Sequence, residues 1–172
     1  MATRIVVTGD THIRSWDDAH AALRAAVAGA DIAVHCGDWV HLNTVEGFRA
    51  AARRAVVVHG NSDPFELRAA LPYRELLEVE GLRFGVTHPS WAGPEFPPAQ
   101  LFADFPTDEF GRLDAILYGH IHEPLDATVN GMRFINPGQG YPSFMVPGTY
   151  AVIEVADGRL WRTEIVEFAA AQ

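Results

Sequence analysis

The chain holds one cysteine, Cys36, among 172 residues. A lone thiol excludes an internal disulfide framework and any CxxC zinc site. Apolar runs long enough to span a membrane are missing too, since every one falls far short of ~18 residues. The opening MATRIVVTGDTH has no basic segment followed by a long apolar stretch, so no secretory leader is expected. Positive charge is scarce. Thirteen Lys and Arg stand against 22 Asp and Glu, a net charge of −9 with histidines neutral. Long nucleic acid is therefore a poor partner, because its binding rests on Lys and Arg neutralising phosphates. Bound cations would still make a site locally positive, which keeps a small phosphorylated ligand in play. Internal repeats, low-complexity tracts and linkers are also lacking. A cytoplasmic protein with no membrane partner is the default expectation.

Hydrophobic residues make up 48% of the chain and charged residues 20%, ordinary values for a globular protein with a real core. The length suits a single domain over 1–172. Short β-branched runs at 4–8, 32–35 and 55–59 read as buried strands. Between them, 16–28 is Ala-rich and helical in character, with Ser15 as its N-cap, and 44–52 reads as a second helix. A short helix is expected at 64–70.

The second half changes style. Residues 74–80 and 82–87 flank Gly81 as a hairpin. Residues 89–113 are loop-rich, with one helix near 99–105, and 115–118 is another buried strand. Asn130-Gly131 and Asp157-Gly158 are hairpin signals. They join 125–129 to 132–136 and 149–155 to 160–167. Apolar strands covered by helices give the expected fold class: α/β, a layered α/β/β/α sandwich of two mixed β-sheets flanked by helices.

Polar residues collect where those strands end. Gly9-Asp10-Thr11-His12 follows the first strand, Gly37-Asp38 the second and Gly60-Asn61-Ser62-Asp63 the third. Thr87-His88 ends a later strand, and Gly119-His120-Ile121-His122 follows 115–118. Ligands of open α/β sheets bind outside the carboxyl ends of strands, so the five segments are expected to converge. The glycines allow sharp turns and close approach. In extended backbone, Asp10 and His12 point to the same side, as do His120 and His122, so each pair can offer two ligands to one locus.

Two carboxylates, one amide oxygen and four imidazoles form a mixed oxygen–nitrogen donor set, suited to Mn²⁺, Fe²⁺, Zn²⁺ or Ni²⁺. Seven donors exceed one tetrahedral site and suffice for two if a carboxylate bridges. Two such ions can clamp both oxygens of a displacement at phosphorus.

These residues resemble the calcineurin-like metallophosphoesterase family, whose pattern is DxH, GDxx, GNxD, a later His, then GHxH. The matching segments GDTH, GDWV, GNSD, THPS and GHIH occur in the family's order, over roughly residues 3–165. The compact length resembles its small bacterial and archaeal phosphodiesterase branch, which also resembles a retromer subunit that serves as a scaffold. The resemblance implies that Asp10, His12 and His122 hold one metal, that Asn61, His88 and His120 hold a second, and that Asp38 bridges them. It implies two divalent transition-metal ions, Mn²⁺ first, with a bridging hydroxide attacking a small phosphodiester. Asp38, Asn61 and His88 are then catalytic as well as metal-holding.

The third position of GNxD is Ser62, where many members carry a His that can protonate the leaving group. A hydroxyl cannot do this near neutral pH. Asp63 is expected to buttress its loop. Asn136-Pro137-Gly138 reads as a tight turn beside the site, with Gln139 where the family often has Ser. Arg14, His41 and Ser62 are candidates for substrate contact or for support of the ligands. His35 and His59 read as satisfied core or supporting groups, His20 as a solvated mid-helix residue, and Cys36 as packing. Trp91, Phe96 and Phe102 read first as a small satellite core or subunit contact, and second as stacking groups for a base or aryl ester. Alternatives to the diesterase are a metal-retaining scaffold for protein partners, a phosphomonoesterase and a nuclease. A homo-oligomer is left open.

Overall fold

The computed structural model describes residues 2–93 and 96–168. The domain span 1–172 and the 89–113 loop region thus include positions outside the described residues: 1, 94, 95 and 169–172.

Three strands early in the chain are β1 (Thr3–Thr8), β2 (Ile32–His35) and β3 (Ala55–Val57). Then come β4 (Arg74–Val79), β5 (Leu82–Thr87), β6 (Ala115–Tyr118), β7 (Pro124–Val129) and β8 (Met132–Pro137). A long hairpin of β9 (Gly148–Ala156) and β10 (Arg159–Phe168) closes the described chain. They form two five-stranded mixed sheets, ordered β10-β9-β1-β2-β3 and β4-β5-β6-β8-β7. In the first, β1, β2 and β3 are parallel, and β9 and β10 extend the sheet antiparallel. In the second, β5, β6 and β8 are parallel and the edge strands β4 and β7 are antiparallel.

Strand alternation sorts side chains between faces. Ile5, Val7, Val34 and Val56 point into the space between the sheets and meet Leu77, Phe84, Val86, Leu117 and Ile135 there. Val6, Ala33 and Val57 point the other way. They pack under the helices α1 (Ala21–Gly29), α2 (Leu42–Ala51) and α3 (Phe65–Ala70), against Leu23, Val27, Val45, Phe48 and Leu67. The outer face of the second sheet is covered by a 3₁₀ segment (Pro98–Asp104) and α4 (Thr107–Phe110), with Leu101, Phe105 and Leu113 on Ile116, Tyr118 and Phe134. Each fully buried side chain of this kind contributes about 1.5–3 kcal/mol by leaving water. The result is the expected α/β/β/α layering. No helix among the described residues is long and apolar enough to cross a membrane.

The segment 16–28 differs from expectation. Ser15 does cap it, and Asp18 reaches back to the Ser15 N–H at 3.1 Å, but this closes only a 3₁₀ turn, Trp16–Asp18. Ala19 is extended, and α1 restarts with His20 as its N-cap. His20 is not mid-helix. Its Nδ1 accepts from the Ala22 N–H at 3.2 Å, and its ring stacks on Phe168 with centroids 4.9 Å apart. β3 stops at Val57, two residues early, and α4 arises in a stretch read as loop.

Candidate metal centre

Asp10 and His12 leave β1, Asp38 leaves β2, and Asn61 leaves β3. His88 leaves β5, and His120 and His122 leave β6. The loops are stitched together across both sheets. The Asp10 N–H donates to the Gly37 carbonyl at 2.9 Å and the His12 N–H to that of Asp38 at 3.2 Å. The His120 N–H donates to Asp10 Oδ2 at 2.9 Å, and the His88 ring to the Cys36 carbonyl at 2.8 Å. All seven expected residues are therefore brought together.

Their backbone is not the expected extended chain. Asp10, His12, Asp38, His120 and His122 have φ of 50°, 48°, 61°, 92° and 60°. Left-handed backbone at a side-chain-bearing residue costs about 1–3 kcal/mol, so the surrounding bonds must over-determine these turns. Left-handed turns, rather than a strand pleat, aim Asp10 and His12 at one point. Two glycines make the approach feasible. A Cβ on Gly60 would overlap Asp38 Oδ1, and one on Gly119 would lie 2.8 Å from Asp10 Oδ2 and 3.0 Å from His88 Nδ1.

The donors fall into two groups. In the first, ligand atoms of Asp10, His12, Asp38 and His122 all lie within 4.8 Å of one another. His12 Nε2 and His122 Nε2 are 3.3 Å apart. Asp10 Oδ1, which is buried, faces His122 Nε2 at 3.3 Å. The bond to Asp10 raises the His122 pKa above the usual histidine value, with the charge of Asp38 adding to it and burial opposing it. A proton is thus favoured where a cation would also be favoured.

In the second group, His88 Nε2 and His120 Nδ1 each lie 2.8 Å from Asn61 Oδ1. The other nitrogen of each ring faces a carbonyl: His88 Nδ1 that of Cys36 at 2.8 Å, and His120 Nε2 that of Ala92 at 3.0 Å. Carbonyls only accept, so those nitrogens carry the protons. In the neutral rings, the nitrogens facing Asn61 are then lone pairs. Three acceptors meet with no hydrogen between them, an arrangement a cation resolves. Carbonyls that orient the far nitrogen are the usual support of a metal-ligating histidine.

Asp38 stands between the groups, with Oδ2 3.6 Å from His12 Nε2 and Oδ1 3.5 Å from His88 Nε2. His120 and His122 therefore serve different groups, against the one-locus expectation and in line with the split the family resemblance implies.

Around the donors, Ser62 gives its N–H to Asp38 Oδ1 at 2.8 Å and its hydroxyl to Asp38 Oδ2 at 2.9 Å. Asp63 accepts the N–H groups of Trp39, Val40 and Gly60, each at 2.7 Å, and so buttresses both loops. His35 is fully buried and stacks on Trp39. Its Nδ1 accepts from the Gly37 N–H, and Nε2 donates to Thr11 Oγ1 at 3.0 Å. Burial first, then the charges of His88 and His12, hold its pKa well below the usual value. Cys36 is buried in the inter-sheet core.

The Asn136-Pro137-Gly138 turn is structural. Asn136 Oδ1 accepts from the Gly138 N–H at 2.9 Å, and Nδ2 donates to the Gly119 carbonyl at 3.3 Å. Gln139 Nε2 ties the following loop through the Tyr141 carbonyl and Ser143. Arg14 and His41 are exposed and have no hydrogen bond or ion pair to their side chains among the described residues. His59 is half-buried beside Tyr73.

Sequence reasoning missed Tyr141. Its ring stands edge-on to His12 and His122, with centroids 5.8 and 6.3 Å away. Only its place three residues after Gly138 could have hinted at this.

Hard oxygen and imidazole donors at the carboxyl ends of parallel strands, in an α/β/β/α sandwich, make a cluster suited to a divalent cation. A family model described as the calcineurin-like phosphoesterase superfamily domain matches residues 3–158, and the chain belongs to that family. A probable metallophosphoesterase of Methanocaldococcus jannaschii is 28% identical over 78% of this chain and 66% of its own length. A phosphodiesterase of the same archaeon is 24% identical over 62% of this chain and 65% of its own. The chain thus spans just under two thirds of each of these relatives. A Thermotoga maritima protein solved by NMR is 28% identical with a TM-score of 0.71, covering 96% of this chain and 99% of the other. Vps29 of Chaetomium thermophilum shares the fold at 18% identity and a TM-score of 0.75, covering 99% and 100%.

Proposed function

We propose that this chain is a metal-dependent phosphodiesterase that hydrolyses small phosphodiesters at a two-metal centre, with Mn²⁺ as the preferred ion and Fe, Zn or Ni as substitutes. The observation that carries the reading is the pair of donor groups flanking Asp38, one of them a meeting of three lone-pair atoms. Asp10, His12 and His122 would hold one ion, Asn61, His88 and His120 the other, and Asp38 both. When bound, such ions supply Lewis-acid charge to a phosphate and a nucleophilic water at neutral pH.

The chain's own residues set the rest. Cys36 and Ala92 carbonyls fix the tautomers of His88 and His120. Ser62 orients the carboxylate of Asp38 with two bonds, so its hydroxyl proton is already committed. Leaving-group protonation then has no imidazole at position 62, which favours diesters with good leaving groups. The M. jannaschii relative named a phosphodiesterase supports the same choice.

The test strips the protein of metal, restores Mn²⁺, and compares bis(p-nitrophenyl) phosphate with p-nitrophenyl phosphate. The diester is expected to turn over faster, and Asp38→Asn to lower turnover at least about a hundredfold. A second reading, a metal-retaining scaffold for protein partners, draws on the fold shared with Vps29 and on the bare Phe144 and Met145, 87% and 79% exposed. It predicts metal binding with no hydrolysis of either ester.

A further inference from the structure

One cavity, of about 550 Å³, lies between the Trp91 loop and the 3₁₀ segment that covers the second sheet. Trp91, Ala99, Gln100, Ala103 and Asp104 line it. Its size falls in the ~300–1,000 Å³ range of small-molecule sites. Trp91 is 47% exposed, yet its ring is fixed: Nε1 donates to both carboxylate oxygens of Asp104, at 3.1 and 3.0 Å. Tyr73 donates its hydroxyl to Asp104 Oδ2 at 2.9 Å, and the Arg74 guanidinium bonds the Asp104 carbonyl. Burial and Asp104 push the Tyr73 phenol up to about 12, so it stays a donor. The result is a rigid indole wall facing two alanines.

The residue after Trp91 is Ala92, whose carbonyl holds His120 Nε2 at 3.0 Å. The aromatic wall is therefore one residue from the carbonyl that faces His120. Phe96 packs on the outer core, so the satellite-core expectation holds for it; Phe102 stands edge-on to Phe134 but is 37% exposed. Trp91 is the member of the trio that lines the cavity.

We propose that this cavity seats the planar aromatic arm of the substrate, a nucleobase or an aryl group, while the phosphate lies at the metal centre. The inference rests on the phosphodiesterase reading and names its substrate class. Asp104 and the net charge of −9 disfavour a second phosphate in the cavity, so an uncharged arm fits it. A flat indole face gains most from another flat π-system. Gln100 adds an amide that can both donate and accept at a base edge.

The experiment uses the Mn²⁺-loaded chain and three p-nitrophenyl diesters that share a leaving group. Their second arms are thymidine, phenyl and methyl. In the unaltered chain, kcat/KM for the aromatic arms should exceed that for methyl about tenfold or more. Trp91→Ala, and Ala103→Trp, which fills the cavity, should each collapse that ratio, mainly through KM. Trp91→Phe should keep most of it. Thymidine favoured over phenyl assigns a nucleobase, and equality assigns a general aryl site. An unchanged ratio in both Trp91→Ala and Ala103→Trp overturns the cavity assignment while leaving the diesterase reading intact. If no ester turns over, quenching of tryptophan fluorescence by thymidine monophosphate decides separately: quenching lost in Trp91→Phe upholds the cavity, and quenching unaffected by that change overturns it.

Discussion

Asp63 illustrates how single residues hold this site without touching a ligand. Its carboxylate takes three backbone N–H groups from two loops, each at 2.7 Å. Asp63→Ala leaves those donors buried without an acceptor, a penalty of about 1–3 kcal/mol for each group not rescued by water. Chemical denaturation should register a loss of about 3 kcal/mol or more, with Mn²⁺ affinity falling as the Asp38 and Asn61 loops loosen. A loss below about 0.5 kcal/mol would show that the loops are held by other contacts. Buttressing of its own loop by Asp63 was readable in the sequence, because a carboxylate in a tight turn accepts backbone N–H groups; its hold on the Asp38 loop was not. Nor were the roles of Ser62 and Tyr141. Ser62 spends both donors on Asp38, and Tyr141 reaches His12 from a loop far along the chain, with no local pattern to announce either contact.

Among the elements, strands were the most readable. β5 and β6 have the expected limits because short apolar runs bounded by polar residues have few alternatives. The Asn130-Gly131 and Asp157-Gly158 turns fall where their left-handed preference puts them, at φ of 52° and 80°, and 53° and 67°. The backbone at the site could not be read. Left-handed φ at Asp10, His12, Asp38, His120 and His122 opposes local preference and is imposed by bonds between distant loops.

The first helix failed for a related reason. An Ala-rich run carries a helical propensity, but Ser15 with Asp18 closes a turn and His20 opens a second element. That difference is testable. For a solvated mid-helix histidine, His20→Ala would stabilise the helix slightly, by propensity. As an N-cap stacked on Phe168, its loss should cost about 1 kcal/mol, read from a lowered melting temperature. An unchanged or raised melting temperature would contradict the capping role.

At the scale of the whole molecule, the two sheets do one thing together. Their inner faces share a core of Val, Ile, Leu and Phe, and the carboxyl ends of five of their strands meet at one rim. The helices and 3₁₀ segment outside make those strands apolar on both faces, which is why their polar ends stand out in the sequence. That a common rim would form was inferable from the α/β pattern, whereas the division of donors into two groups around Asp38 required coordinates, or the likeness to a known family. The site is also wet on one side: Asp10, Asp38 and His88 are buried, while Asn61 is exposed and His12 and His122 are partly so. A small substrate can therefore approach the rim, although the chain carries a net charge of −9.

Metal stoichiometry tests the proposed pair of cations at this rim most directly. Metal-stripped protein titrated calorimetrically with Mn²⁺ should take up about two equivalents per chain. The Asn61→Ala form should take up about one, because only the second donor group loses a member. Uptake of one equivalent or none by the unaltered chain, or of two by the Asn61→Ala form, would contradict it.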